Sequence, residues 1–272
     1  MKVKLSIVVF FLSLVQYTYS QKVTHWVEKG SFAIDSVDIW SADVLGNTYI
    51  TKKEVIHKYD SIGKLKFSQS QKSIGRLSSL EPINTMKLVV FSEEQQIFCF
   101  LDNTLTPYES CVDLIDFDIT NATKVAVSSQ PDKYWVYDQL NSRLHLLSLA
   151  ETDQAQEVEN LRGLLNSISI TFIVEQNNLL YLVDPVQGIY VLDMYGSLVN
   201  TIKRSNVKGL YADTENLYLL ENDKISIINL NTNEEHKVDC PVSSILEFRK
   251  SGSIFYFRTT TQIKKYMLLF DE

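Results

Sequence analysis

"LLYLVDPVQGIYVLDMYGSLV", Leu179 to Val199, is an apolar run, an Asp-Pro break, a second apolar run and a Tyr-Gly-Ser turn. Both runs are apolar at successive positions, not only at alternate ones, which suits strands covered on both faces. With "SISITFIVE" before it and "LVNTIKR" after it, the stretch makes four short strands. Asn177-Asn178, Asp184-Pro185 and Tyr195-Gly196-Ser197 are the turns between them.

The pattern recurs. The first unit is "NTYITKKEVIHKYDSIGKL" from Asn47, the second "QQIFCFLDNTLTPYESC" from Gln95, and the third "DKYWVYDQLNSRLHLLSL" from Asp132. After the opening stretch come "ENLYLLENDKISIINLN" from Glu215 and "SGSIFYFRTTTQIKKYMLLF" from Ser251. Aligned on Tyr49, Phe98, Tyr134, Tyr181, Tyr218 and Phe255, the six units lie about 41 residues apart on average, the length of a four-stranded propeller blade. One such sheet cannot bury both faces alone, so the units are expected to stack in a ring. The expected fold is therefore all-β: a six-bladed β-propeller over residues 21–272.

The sixth unit offers three strands, "VSSILEF", "SIFYF" and "QIKKYMLLF", and lacks a fourth. At the other end "QKVTHWVEKG", Gln21 to Gly30, is strand-like and belongs to no unit. It is expected to close the ring as the outer strand of the last blade, removing the open edge there. "AETDQAQEVENLRGLLNS", Ala150 to Ser167, falls where the third blade's outer strand should be and reads as a long loop or one short helix carrying that edge.

Residues 1–20 read differently. Lys2 and Lys4 precede an apolar core, Leu5 to Val15, too short for a bilayer helix, which needs about 20 residues. This is the pattern of a signal peptide, with cleavage expected between Ser20 and Gln21. No Cys follows the core, so a soluble, exported chain is expected; no later run approaches membrane length. The formal net charge is −7, which disfavours nucleic acid as a partner. Three cysteines, Cys99, Cys111 and Cys240, leave at least one unpaired. Cys99 and Cys111 are close enough in sequence for a bridge within one hairpin, with small buried thiols as the alternative.

"LYLVDPVQGIYVLDMYGS", "KYWVYDQLNSRLHLLSL" and "GNTYITKKEVIHKYDSIGKL" resemble the repeats of six-bladed propellers of the YWTD and NHL type, which run apolar-Tyr-x-x-Asp, a gap, Ile and a short apolar strand. No unit carries the full YWTD word, and the second and fifth lack the Asp-Gly turn. A resemblance to propeller lactonases and amidating lyases would imply a ring of acidic, Asn and His metal ligands on the inner strands. Those strands offer Asp38, Asp43, Glu175 and Asp213, which share no common strand position and sit where turn formers are frequent. His25, His57, His145 and His236 lie in different repeats; only His57 and His145 fall on comparable strands. There is no Gly-x-Ser-x-Gly nucleophile elbow and no phosphate loop. Asn121 to Thr123, "NAT", fits a glycosylation acceptor, a triplet that also arises by chance. Trp26, Trp40 and Trp135 are expected between blades, with interface anchoring as the alternative.

No catalytic, cofactor-binding or metal-ligating residue is therefore assigned, and no cofactor is expected. Propellers host enzymes, receptors and scaffolds alike, so fold says little of function. The expectation is a non-catalytic periplasmic propeller that binds another envelope protein. The signal segment ending in "YSQ" resembles those of Gram-negative bacteria with elaborate outer-membrane export systems, which points to an accessory or pore-occluding component of such a complex. A metal-dependent lyase or lactonase, and a secreted sugar- or peptide-binding propeller, are the alternatives.

Overall fold

The computed structural model describes residues 24–35, 37–149, 156–166 and 169–270; the Ser20–Gln21 cleavage position lies outside them. Six four-stranded antiparallel sheets form the chain. Blade one is Ile39–Ala42, Thr48–Lys52, Val55–Tyr59 and Leu65–Ser70. Blade four, from the deciding stretch, is Phe172–Gln176, Leu179–Asp184, Gly188–Asp193 and Leu198–Ile202. The architecture is a six-bladed β-propeller, with the inner strands lining an axial channel.

Second and third strands are buried almost throughout, while the outer strands Leu65–Ser70 and Leu198–Ile202 are largely exposed. The core is therefore a set of apolar layers between neighbouring sheets, such as Trp135, Leu144 and Leu146 of blade three against Leu180, Leu182 and Leu192 of blade four. Burial of such residues contributes about 25 cal/mol per Å² of apolar surface.

Ring closure is as expected. Thr24–Ala33 pairs antiparallel with Gln262–Phe270, from Thr24↔Phe270 to Ala33↔Gln262, making the fourth strand of blade six. A bulge at Lys29 shifts the register between Glu28 and Gly30. The strand is also tied sideways, since Trp26 Nε1 donates to the Asp239 carbonyl of blade five at 2.7 Å.

Three details differ from the expectation. In blade two the second strand is Lys87–Ser92, and Phe98 lies on the third strand, Ile97–Asp102. The position matching Tyr49 is Val89, an aliphatic residue in a slot that is aromatic in most blades. In blade six the inner strand is Glu247–Ser251, later than "VSSILEF". The edge of blade three is carried by a short strand, Gln156–Val158, paired with Leu144–Leu146; the helix Leu161–Leu165 follows it. Polar side chains and the left-handed Asn160 end that strand early.

Turns are built by one device. Aspartate or asparagine at a strand end accepts the backbone N–H groups of the next residues. Asp43 and Asp213 do so in first-to-second strand turns, Asp60, Asp102 and Asp193 in third-to-fourth strand turns, and Asp184 in the Asp-Pro break. Much of the acidic excess is thus structural. Gly188 ends the Asp-Pro turn at φ +123°, and a Cβ there would lie 2.3 Å from the Ile202 carbonyl oxygen. No other residue fits that turn without moving the outer strand.

Candidate functional site

The carboxylates offered by the inner strands do not converge. Asp43 and Asp213 hold their own turns, and Asp43 also accepts from the Tyr49 hydroxyl at 2.9 Å. Asp38 accepts from the Lys53 backbone N–H. Glu175 turns sideways, out of the channel, into the seam between blades three and four. There it accepts from Ser128 Oγ at 2.7 Å, from the Ser129 N–H and Oγ, and from Trp135 Nε1 at 2.5 Å. These residues do not fit the metal ring that the lactonase resemblance implies.

The histidines are apart as well. His25 and His236 are exposed on outer strands, while His57 and His145 lie on the third strands of blades one and three, with blade two between them. Burial pushes both His57 and His145 below the usual imidazole range, and Glu157 beside His145 opposes this. Among the described residues no three His, Cys, Asp or Glu side chains come together as a metal site. Trp40 and Trp135 are fully buried and Trp26 packs partly buried on Phe255 and Phe257, so the tryptophans belong to the blade seams.

The structure joins Cys99, on the third strand of blade two, to Cys111. Blade two's fourth strand is only Val112–Asp113, and the bridge holds the loop before it against the sheet where strand pairing is missing. Cys240 is free, and burial pushes its thiol up to about 12.

Seams between blades are also fastened by buried lysines, which the sequence reading did not pick out. Lys58 of blade one donates to the Asn103 carbonyl of blade two at 2.9 Å. Lys265, at the matching position in blade six, donates to the Gly46 and Ser61 carbonyls of blade one at 3.1 and 3.0 Å. Lys250 lies 4.5 Å from the ring centres of Tyr211 and Tyr218. Burial lowers all three ammonium groups from the ordinary lysine value.

Arg249 and Phe172 stand at the centre of the channel cavities. Arg249, on the inner strand of blade six, has its guanidinium carbon 6.0 Å from the ring centres of both Trp40 and Phe172. Arg249 and Phe172 border three cavities, of about 220, 400 and 290 Å³, so they stand where these meet. Glu81, on blade two, borders the 220 and 290 Å³ cavities with Arg249. Burial raises the Glu81 carboxyl above the usual carboxylate range, with Arg249 and the Val127 N–H pulling the other way. Arg249 carried no sequence motif; its signal was an inner strand with three charged residues, "EFRKS".

First-to-second and third-to-fourth strand turns share one face of the ring, here the lower face. On it Val44, Leu45, Ile62 and Met86 are 72, 64, 85 and 61% exposed. Their turns adjoin: Lys58 links blade one to Asn103, Asn103 Nδ2 lies 3.4 Å from Met86 Sδ, and Gly46 packs on Ser61. Val44 and Ile83 also line the channel mouth. The upper face shows Leu140 and Val186 exposed, on separate blades.

This geometry defines the class: a closed six-bladed β-propeller with an axial channel and exposed apolar side chains on its lower face. No protein-family model matches the sequence, and no curated protein matches it. Among solved structures the chain is similar to the Pan2 WD40 domain of Neurospora crassa, with TM-score 0.64 and 8% identity over 89% of this chain and 95% of that one. It is similar to a catalytically inactive virginiamycin B lyase from Staphylococcus aureus, determined with quinupristin, with TM-score 0.62 and 13% identity over 91% and 100% of the two chains. It is also similar to PorZ, described as an essential bacterial surface component of the type-IX secretion system of Porphyromonas gingivalis. Here the TM-score is 0.54 and the identity 11%, over 90% of this chain and 39% of PorZ. Likeness at such identities is one of fold.

Proposed function

We propose that the chain is a non-catalytic propeller that docks through its lower face onto another envelope protein, as an exported, periplasmic accessory of an outer-membrane protein-export complex. The observation that carries this is the run of adjoining exposed apolar side chains Val44, Leu45, Ile62 and Met86 on one face, with Val44 at the channel mouth. Apolar side chains gathered on adjoining turns mark contact surfaces, whereas single exposed ones are ordinary. A rigid ring suits the role, because its turns are held before binding and little order is lost on docking. The signal-type N-terminus supports export, and the shared fold with a secretion-system component supports the kind of assembly.

A tagged chain purified from gently solubilised membranes should carry a stoichiometric envelope partner. Leu45→Asp with Ile62→Asp should release that partner and leave the propeller folded. Recovery of the wild-type chain alone as a monomer, or a partner retained by the double variant, would overturn the proposal.

A further inference from the structure

The geometry points to a binding site for a small zwitterion, an α-amino acid or a close relative, in the axial channel between Arg249 and Glu81. This stands independently of the docking face. Among the described residues the Arg249 guanidinium donates no hydrogen bond and forms no ion pair; the two aromatic rings at 6.0 Å are its near neighbours. The Arg249 nitrogens are open to the channel rather than sealed off, and their planar fork matches a carboxylate.

Glu81 stands with Arg249 around the same two cavities, yet the pair does not close into an ion pair. A guanidinium and a carboxyl held apart in a shared cavity are complementary to a ligand carrying a carboxylate and an ammonium, and the ammonium would itself favour the ionised form of Glu81. The ligand's carboxylate would lie on Arg249 and its ammonium on Glu81. Several other charges nearby are committed: Glu247 is taken by Trp40 Nε1 and Arg258, Lys124 by the Thr123 carbonyl, and Lys250 by Asp213, while Glu93, on the rim of the same cavity, is exposed to solvent. Phe172, Val174 and Tyr211 supply an apolar and aromatic wall, so an amino acid with an aromatic side chain fits the lining. The cavities suit a small molecule better than a folded partner.

Isothermal titration with L-phenylalanine tests this, beside N-acetyl-L-phenylalanine, which lacks the ammonium, and L-phenylalanine amide, which lacks the carboxylate. L-phenylalanine should bind the wild-type protein, with both blocked probes at least tenfold weaker. Arg249→Met and Glu81→Gln should each weaken L-phenylalanine at least tenfold. Arg249→Met should melt no lower than wild type, since it places a sulfur chain between two rings and removes an unpaired charge. Absence of binding by the wild type, equal binding of either blocked probe, or unchanged binding by Arg249→Met overturns the inference.

Discussion

Replacing Glu175 with alanine tests whether the seam between blades three and four depends on one buried carboxylate. Glu175 is 8% exposed, and the donors around it differ in what they can do once it is gone. Ser129 is exposed and can turn to water. Ser128 Oγ and Trp135 Nε1 are buried and cannot. A buried donor left without its acceptor costs about 1–3 kcal/mol, so the two together cost about 4 kcal/mol. That matches the 3–5 kcal/mol typical of breaking a buried charged contact from one side. Urea unfolding followed by circular dichroism should show the midpoint falling with an unchanged slope. Trp135→Phe removes one stranded donor in advance, so the double variant should cost less than the sum of the single ones. The expected coupling is about 1.5–3 kcal/mol, the value for a hydrogen bond to a charged group. A loss below about 1 kcal/mol, or fully additive variants, would refute the reasoning.

Burial raises the hydroxyls of Tyr49, Tyr134, Tyr181 and Tyr218 above the usual phenol range, Tyr181 to about 12. The folded chain keeps these protons longer than the unfolded one, so their contribution is complete below about pH 10 and is lost above it. Lys58, Lys250 and Lys265 act in the opposite sense. Their lowered values make stability rise with pH up to the unfolded lysine value, near pH 10.4. Stability in urea should therefore hold or rise between pH 8 and about pH 10 and then fall steeply, with tyrosinate absorbance growing only as the chain unfolds; early tyrosinate absorbance in the folded state would contradict this. Reducing Cys99–Cys111, which closes a loop with a sequence separation of 12, should cost about 3 kcal/mol. The denatured, unreduced chain should then show one reactive thiol, that of Cys240, and three would exclude the bridge. Gly188→Ala should cost about 1–3 kcal/mol, because the Cβ meets backbone and the φ is positive; an unchanged melting temperature would show that the outer strand can move aside.

The blade count and the ring closure were legible because strands covered on both faces must be apolar at successive positions, and "LLYLV" and "SIFYF" leave no other solution. Blade two was legible only in part. "KLVVFS" puts Val89 where the other blades put an aromatic, so the eye settles on Phe98, one strand too far. The layer is still filled there, because Phe91, Phe98 and Phe100 of the same blade pack with Val89. Asp43 and Asp213 were correctly read as turn formers, whereas Asp38 accepts from Lys53 and Glu175 sits in the blade seam; the use of aspartate in so many other turns emerged from the hydrogen bonds. The channel pair was not legible. Glu81 and Arg249 are far apart in sequence, and only ring geometry brings them to one cavity. The lower-face patch was hidden for a similar reason, since Leu45, Ile62 and Met86 belong to three turns on two blades.

The strand Thr24–Ala33 has a consequence in time. Its partner is Gln262–Phe270, so the earliest strand of the described chain can pair only after nearly all the rest has arrived. Blades one to five are built from neighbouring segments and can form as they appear, but the ring stays open until its two ends meet. Contacts of such long sequence separation form late and slowly. A chain passing through a membrane pore N-terminus first would hold its closing strand exposed throughout passage, and would complete the propeller only on the far side.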